Sequence, residues 1–563
     1  MASPAALDLP DADAVLNDPT RQAGIHAIEM YVPRHAVAAA TLERAHGVDG
    51  KYTSGLMMTE FCGTGEDEDP VSIGLTVLAR LMHRHGVRFE DVGMLYVGSE
   101  SHFDRAKSIA STLMMLFNEH GCDDIEGVDT YNACYGGTAA LLNCVNWLQS
   151  DAWDGRWAIA IATDVADAPA GYRFMTGCSS VAMLVGVDAA LVLERERASH
   201  MLDRWDFYKP WGWHEMAPVV DAPGSIDVYY ECLDACQQQL LEKRGLPNII
   251  ESADYCVFHL GSGPKFVKHA FERCVANAYG FDEPPGGART KSYDGVLSPE
   301  RLMRLFEEKV APTLRLATRI GPQHTAATYT ALTSLLVHAA ARGGLVGKTI
   351  NVFSYGSGAA ATMFRLRVAR VPGYVADIDD VLDRRHYIDA ASFDQIMDEY
   401  AETYARFDWT ARVRNGPQPP GAYYLRGVDA YGRRSYYMVR EAAEGGLWHR
   451  LPPPYLSEPP PHETADDVER ARASLPEAYR DLPELTHVSG VQAPFPPKLP
   501  REVADAEMIE HGLMRPGSGP VSTDAATNAA AAPSSVEEVA ESVAELLQLM
   551  GRDSSSPESH RPA

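Results

Sequence analysis

The sequence predicts an α/β protein in which helices cover a mostly parallel central sheet. Three observations lead there. From Gly24 to about Val368, short β-rich runs alternate with helical patterns, the order expected of strands that cross back over a sheet. Two stretches, TYNACYGGTAAL and VFSYGSGAAATM, each set a glycine-rich turn at the end of a strand, so a duplicated body with halves at about 22–195 and 196–445 is open to the chain. Beyond residue 445 the composition changes, which marks where the folded body stops.

The elements follow in order. GIHAIEMYVP opens the alternation. SIGLTVLARLMHRHG (72–86) carries a helical pattern, MLYVGS (94–99) a strand, and KSIASTLMMLFNEHG (107–121) a second helix. Cys134 precedes two glycines and another helical run. WAIAIATD (157–164), VAMLVG (181–186), ALVLE (190–194) and YCVFHL (255–260) are strands, KFVKHAFERCVANAYG (265–280) is a helix, and TINVFSYG (349–356) and TMFRLRV (362–368) are strands. GAYYLRGVDAYGRRSYYMVR (421–440) reads as a late hairpin against the body.

The ends differ from this pattern. Residues 1–21 are expected to be a flexible N-terminus, and 446–500 a proline-rich linker region that includes LPPPYLSEPPPHE. Residues 501–563 are a low-complexity acidic tail. Within it, Ser535 and Glu538 have capping-box spacing ahead of apolar residues at helical intervals, so a short amphipathic helix is expected at 535–550. It is either a solvated helix or a docking segment for a weak partner.

Composition narrows the function. The chain has 563 residues with 50 Lys plus Arg against 77 Asp plus Glu, a net charge of −27, so it has no basic field to gather nucleic acid or anionic lipid. The longest apolar stretch, 326–341, falls short of the ~20 residues of a spanning helix, so no membrane partner is expected. Nine scattered cysteines without a CxxC pair suit reduced thiols rather than a disulfide framework or a metal site. The N-terminal stretch MASPAALDLPDADAVLNDP has neither the apolar core of a secretory signal nor a transit peptide's basic character, so a soluble cytoplasmic protein is expected.

Three residues stand at the C-terminal ends of predicted strands, where α/β proteins place their sites: Glu100, Cys134 and His259. Singly, each has an ordinary explanation as a solvated carboxylate, a buried thiol and a core imidazole. Together they match the needs of covalent acyl transfer: a nucleophile, a base for a carbon acid, and a group that polarises a carbonyl. At a helix N-terminus the Cys134 thiol is expected to have a lowered pKa. Lys265 and Lys268, in the first turns of the next helix, are candidates for a phosphate or ordinary surface lysines.

The ordered set KYTSGL, YVGSESHFDRAKS, GVDTYNACYGGTAALLNCVNW, WDGRWAIAIATDVA, VAMLVG, DFYKPW, VFHLGSGPKFVKHAF and FSYGSGAAAT resembles the hydroxymethylglutaryl-CoA synthase family of the thiolase-like superfamily, over about residues 22–440. The resemblance implies a duplicated five-layer αβαβα fold and a homodimer. It implies condensation of acetyl-CoA with acetoacetyl-CoA and water to 3-hydroxy-3-methylglutaryl-CoA, in the mevalonate route, with no metal or redox cofactor. It places the nucleophile at Cys134, the catalytic glutamate at Glu100 and the substrate-binding histidine at His259. Tyr208, Lys209, Ser354 and Gly356 would lie near the acyl groups, and Lys265 would reach toward coenzyme A.

Two departures bear on the pocket. The family's GNMYT is GPQHT here (321–325), so Pro322 replaces an asparagine that positions substrate, and His324 either compensates or caps the loop. RPTGGAGAVA is RFMTGCSSVA (173–182), which adds the side chains of Cys178 and Ser179 where close approach is expected. They keep two alternatives open: a condensing enzyme for carrier-bound β-ketoacyl chains, as in polyketide β-branching, and a catalytically silent acyl-CoA-binding scaffold.

Overall fold

In the computed structural model, the described residues are 22–168, 173–210, 218–279, 298–340, 342–404, 406–411 and 421–439. The expected N-terminal segment 1–21, the linker 446–500, the tail 501–563 and its helix at 535–550 lie outside the described residues.

Ten strands form one sheet, nine of them along a single hydrogen-bonded path. Its order is Tyr255–Phe258, Thr349–Gly356, Ala360–Val368, Leu191–Leu193, Gly24–Tyr31, Gly177–Gly186, Trp157–Ala166, Val92–Gly98 and Asp129–Thr130, with Ala198–Met201 also on Ala360–Val368. The strand expectations hold to within a few residues; Thr349–Gly356 matches at both ends.

The expectation of a mostly parallel sheet is corrected: the sheet is mixed. Only Tyr255–Phe258 on its neighbour, and Val92–Gly98 on both of its neighbours, are parallel. The remaining pairs in this sheet are antiparallel. The cause lies in the connections: Thr349–Gly356 turns into Ala360–Val368 through residues 357–359, far short of the dozen or so residues a parallel crossover needs.

Strand alternation divides the interior into three cores. In Trp157–Ala166, Ala158, Ala160 and Ala162 face a central core, whereas Ile159, Ile161 and Val165 face an outer one. The second half repeats the pattern: Ile350 and Val352 enter the central core, and Phe353 and Tyr355 enter the opposite outer core. The helices Gly136–Leu148 and Ala327–Ala340 fill the centre, which gives αβαβα layering. Small residues on the central face of Trp157–Ala166 let a helix approach closely.

The outer layers are Pro70–His85 on one side, and Ala222–Arg244 with Pro264–Tyr279 on the other. Ala222–Arg244 escaped the sequence reading although its ends are signalled, by Asp221 accepting from Gly224 N–H at 3.2 Å and by Gly245 at a left-handed φ of 62°. The helix expected at 107–121 is two short pieces, Ile109–Leu113 and Met115–Asn118. The late hairpin is present as Tyr423–Val428 paired antiparallel with Arg434–Met438. No described helix is long and apolar enough to cross a membrane.

Candidate active site

The two glycine-rich turns meet. Asn132 donates its side-chain amide to Ser357 O at 2.9 Å, and a Cβ on Gly356 would lie 2.2 Å from Asn132 O. Gly356 is thus where the second half packs against the loop that carries Cys134, an approach only glycine permits. Ala133, just before Cys134, takes a left-handed φ of 42°, and His324 takes one of 48°. Non-glycine residues in this region cost about 1–3 kcal/mol each and cluster at functional sites.

At this junction Cys134 Sγ donates to Glu100 Oε2 at 3.3 Å. The other carboxylate oxygen, Oε1, accepts from Lys209 Nζ at 2.8 Å and lies 3.1 Å from His324 Nδ1. Glu100 reaches this point because it follows the strand Val92–Gly98, while Cys134 stands just ahead of the helix Gly136–Leu148. Lys209 follows the short strand Phe207–Tyr208, which is paired with Val219–Val220.

Asp164 ties the parts together. Its Oδ1 accepts from Glu100 N–H at 2.8 Å, Ser99 Oγ at 3.0 Å and Ser101 Oγ at 2.9 Å, and its Oδ2 accepts from Thr325 N–H at 2.8 Å. One buried carboxylate therefore sets the Glu100 loop against the His324 loop. Sequence reading passed over Asp164, although an aspartate closing the apolar run WAIAIAT carries the same strand-end signal that singled out Glu100.

Charge is distributed unevenly. For Glu100, burial is the largest influence and pushes upward, but the Lys209 and His324 charges override it and hold the carboxyl well below its usual range. The Cys134 thiol is pushed well up by burial and then by the Glu100 and Asp164 carboxylates, so the expected lowering at the helix N-terminus is corrected. A helix end contributes a partial charge, whereas Glu100 sits in direct contact with the sulfur.

His259 follows the strand Tyr255–Phe258, and its N–H donates to Phe353 O at 2.8 Å. Its Nδ1 is buried with no hydrogen-bond partner among the described residues. Burial, then the His324 charge, lowers its pKa to about 4, so the ring is a neutral imidazole. It shares a cavity of about 110 Å³ with Cys134, Pro322, His324, Tyr355 and Phe207. A larger cavity of about 590 Å³ is bordered by Glu100, Tyr208, Lys209, Asn132 and Tyr131, and the two share Phe207 and Ser357 as wall.

The other expected site residues divide. Ser354 is buried and accepts from Thr138 Oγ1 at 2.7 Å, which makes it a brace between the halves; it borders neither cavity. Lys265 and Lys268 border neither cavity, and Lys268 lies 3.9 Å from Glu272. The expectation that Cys178 and Ser179 intrude on the pocket is corrected: Cys178 lies in an outer core, and Ser179 Oγ donates to Tyr31 O at 3.0 Å. Pro322 does border the smaller cavity, with its carbonyl so close to Gly177 that a Cβ there would lie 1.5 Å from the oxygen.

Among the described residues, Glu100, Cys134 and His324 bring one metal-ligating type of atom each within 4.8 Å of the others. The Lys209 ammonium already supplies positive charge to Glu100 there.

Two family profiles match nearly the whole described body: the N-terminal part of hydroxymethylglutaryl-coenzyme A synthase over residues 19–190, and its C-terminal part over 191–286 and 300–439. The mitochondrial hydroxymethylglutaryl-CoA synthase of Bos taurus is 36% identical over 459 residues, 74% of this chain and 89% of that protein. The Saccharomyces cerevisiae hydroxymethylglutaryl-CoA synthase is 34% identical over 443 residues, 73% of this chain and 89% of that protein. Among solved structures, MvaS in complex with 3-hydroxy-3-methylglutaryl coenzyme A is 28% identical with a TM-score of 0.64, covering 75% of this chain and all (100%) of that one. The curacin pathway HMG synthase shares the fold at 22% identity and a TM-score of 0.64, covering 74% of this chain and 100% of that one. With both halves matched in order and the thiol, carboxylate and imidazole assembled at their junction, this chain belongs to the hydroxymethylglutaryl-CoA synthase family.

Proposed function

We propose that this protein condenses acetyl-CoA with acetoacetyl-CoA and water to give 3-hydroxy-3-methylglutaryl-CoA and coenzyme A, in the mevalonate route to isoprenoids. The observation that carries the reading is Cys134 Sγ at 3.3 Å from Glu100 Oε2, beside a cavity that also contains His259.

In the first step Cys134 attacks the acetyl thioester while its proton passes to Glu100, whose Oε2 is the acceptor already in contact. That transfer matters because the resting thiol has a high pKa. Coenzyme A leaves with the proton, and Glu100 returns to the carboxylate. Backbone N–H groups of the turn, including that of Cys134, are suited to hold the tetrahedral oxyanion.

Glu100 next removes a proton from the acetyl methyl group, and the resulting enolate attacks the ketone of acetoacetyl-CoA. A neutral His259 can donate to that carbonyl oxygen without adding a full charge to the pocket. Glu100 gives its proton to the new alkoxide, and water releases the product from Cys134. The thioesters supply the activation and Lys209 the local positive charge, so the scheme calls for no metal or redox cofactor.

Cys178 and Ser179 lie away from the pocket and so give the carrier-bound alternative no support, while relatives at 34–36% identity favour free acyl-CoA acceptors. We assign a homodimer, for which the sheet's open edge at Asp129–Thr130, flanked by Val128 at 49% and Tyr131 at 78% exposure, offers a place to pair. Free cysteines throughout the described residues suit a reducing compartment, and we assign the cytoplasm.

Intact-protein mass after incubation with acetyl-CoA, then acetoacetyl-CoA, tests the reading. An acetyl-sized gain on Cys134 that is discharged as hydroxymethylglutaryl-CoA supports it; no gain returns the chain to the silent-scaffold reading.

A further inference from the structure

We propose that His324 is a positioning residue for the condensation, an imidazolium that holds one oxygen of Glu100 so that the other faces Cys134 and the acetyl group it carries. This rests on the function proposed above and deepens it.

The argument begins with hydrogen-bond capacity. His324 Nδ1 lies 3.1 Å from Glu100 Oε1, and Nε2 lies 3.3 Å from Met175 O. A carboxylate and a carbonyl both accept and neither donates, so each neutral tautomer would set one ring lone pair against an oxygen lone pair. Only the doubly protonated ring satisfies both contacts. The direction of its titration agrees: burial opposes the charge, but the Glu100 carboxylate raises the pKa above the ordinary histidine value.

The ring is also fixed from outside. Asp164 holds the backbone of both Glu100 and Thr325, so the His324 turn and the Glu100 turn cannot shift independently. Lys209 takes the same Oε1 at 2.8 Å, and the result is a divided carboxylate: Oε1 belongs to two cations, Oε2 to the sulfur. A base restricted to one oxygen and aimed at one methyl group loses little orientational freedom at the moment of proton transfer. His324 and Lys209 thus set two positive charges beside one oxygen of Glu100.

A pH dependence follows. The titratable groups facing the ring are Glu100, Lys209, Asp164, Cys134 and His259. As pH rises through the His324 pKa, the imidazolium charge is lost, one ring nitrogen can no longer donate to its oxygen, and Glu100 and Cys134 Sγ, the latter 4.0 Å from Nδ1, lose a cationic neighbour. The condensation kcat should therefore fall on the alkaline side in the wild type. His324→Tyr keeps a donor over that range and should lack this limb. His324→Phe offers no donor and should lower kcat about 10- to 100-fold, on the scale of a misplaced reacting group, with a smaller change in KM.

Alkylation of Cys134 by iodoacetamide, read by peptide mapping across pH, tests the same residue without any substrate. In the wild type the rate should climb less than tenfold per pH unit while His324 deprotonates, because the thiol pKa rises as the cation is lost. His324→Phe should show the full tenfold climb. Superimposable wild-type and His324→Phe alkylation profiles would overturn the proposal. So would condensation by His324→Phe at the wild-type rate. If wild type makes no hydroxymethylglutaryl-CoA but its alkylation profile shows the His324 inflection, the assigned reaction fails and the charged His324–Glu100 pair stands.

Discussion

At the residue scale the decisive feature is a glutamate whose two oxygens have different neighbours. Cations on Oε1 keep Glu100 ionised, and Oε2 meets the thiol. Replacing Glu100 with glutamine preserves shape but removes the base. Glu100→Gln should still acquire an acetyl group on Cys134, slowly, while carbon–carbon bond formation falls about 100- to 10,000-fold, the usual range for a lost acid–base group. Mass of the acetyl-enzyme and release of product separate the two steps. Lys209→Met tests the electrostatics. Lys209 lowers the Glu100 pKa, so its removal raises it, and the carboxylate base forms only at higher pH. The acid limb of the condensation profile should move upward in pH; an unmoved limb would show that Lys209 does not set the basicity of Glu100.

At the element scale, packing of one half against the other sets the site. Gly356→Ala would place a Cβ 2.2 Å from Asn132 O and 2.5 Å from Tyr135 N, on both sides of Cys134. The nucleophile turn must then shift, and we expect acetylation to fall at least tenfold, with a stability cost of about 1–3 kcal/mol seen in thermal unfolding. A second junction joins the late hairpin to the body. Asp69 caps Pro70–His85 through Ser72 N–H at 2.7 Å and also accepts from Arg434 at 3.1 Å and Tyr436 OH at 2.9 Å. Asp69→Ala would leave a buried guanidinium without its counterion, so denaturant unfolding should report a loss of about 3–5 kcal/mol. A loss near 1 kcal/mol, the worth of a cap alone, would show that the hairpin contacts contribute little.

At the scale of the whole molecule, the family match ends at residue 439, and the residues beyond it have the composition of a tail. Deletion of 501–563 should leave condensation and melting temperature unchanged within error; a drop in either would mean that the tail contributes to the body. Legibility also varied with scale. Strand positions and the strand-end placement of Glu100, Cys134 and His259 were readable because hydrophobic alternation and chain punctuation are local. Strand direction was misjudged, because it depends on which strand each connection returns to. Asp164 and His324 were undervalued because their partners lie far along the chain: Asp164 is 64 residues from Glu100, and His324 is 190 from Cys134.

The sequence by itself determined the alternation of elements, the net negative charge, the family and the choice of Glu100, Cys134 and His259 as candidates, because each is written in residue type and short-range spacing. The tertiary structure alone decided how they act together. Folding the two halves onto a shared central layer brings Lys209 and His324 to one oxygen of Glu100, leaves the other for Cys134, and buries most of their surface. Proton affinities in such a place are set by neighbours and by burial, and neither is a property of any short stretch of chain.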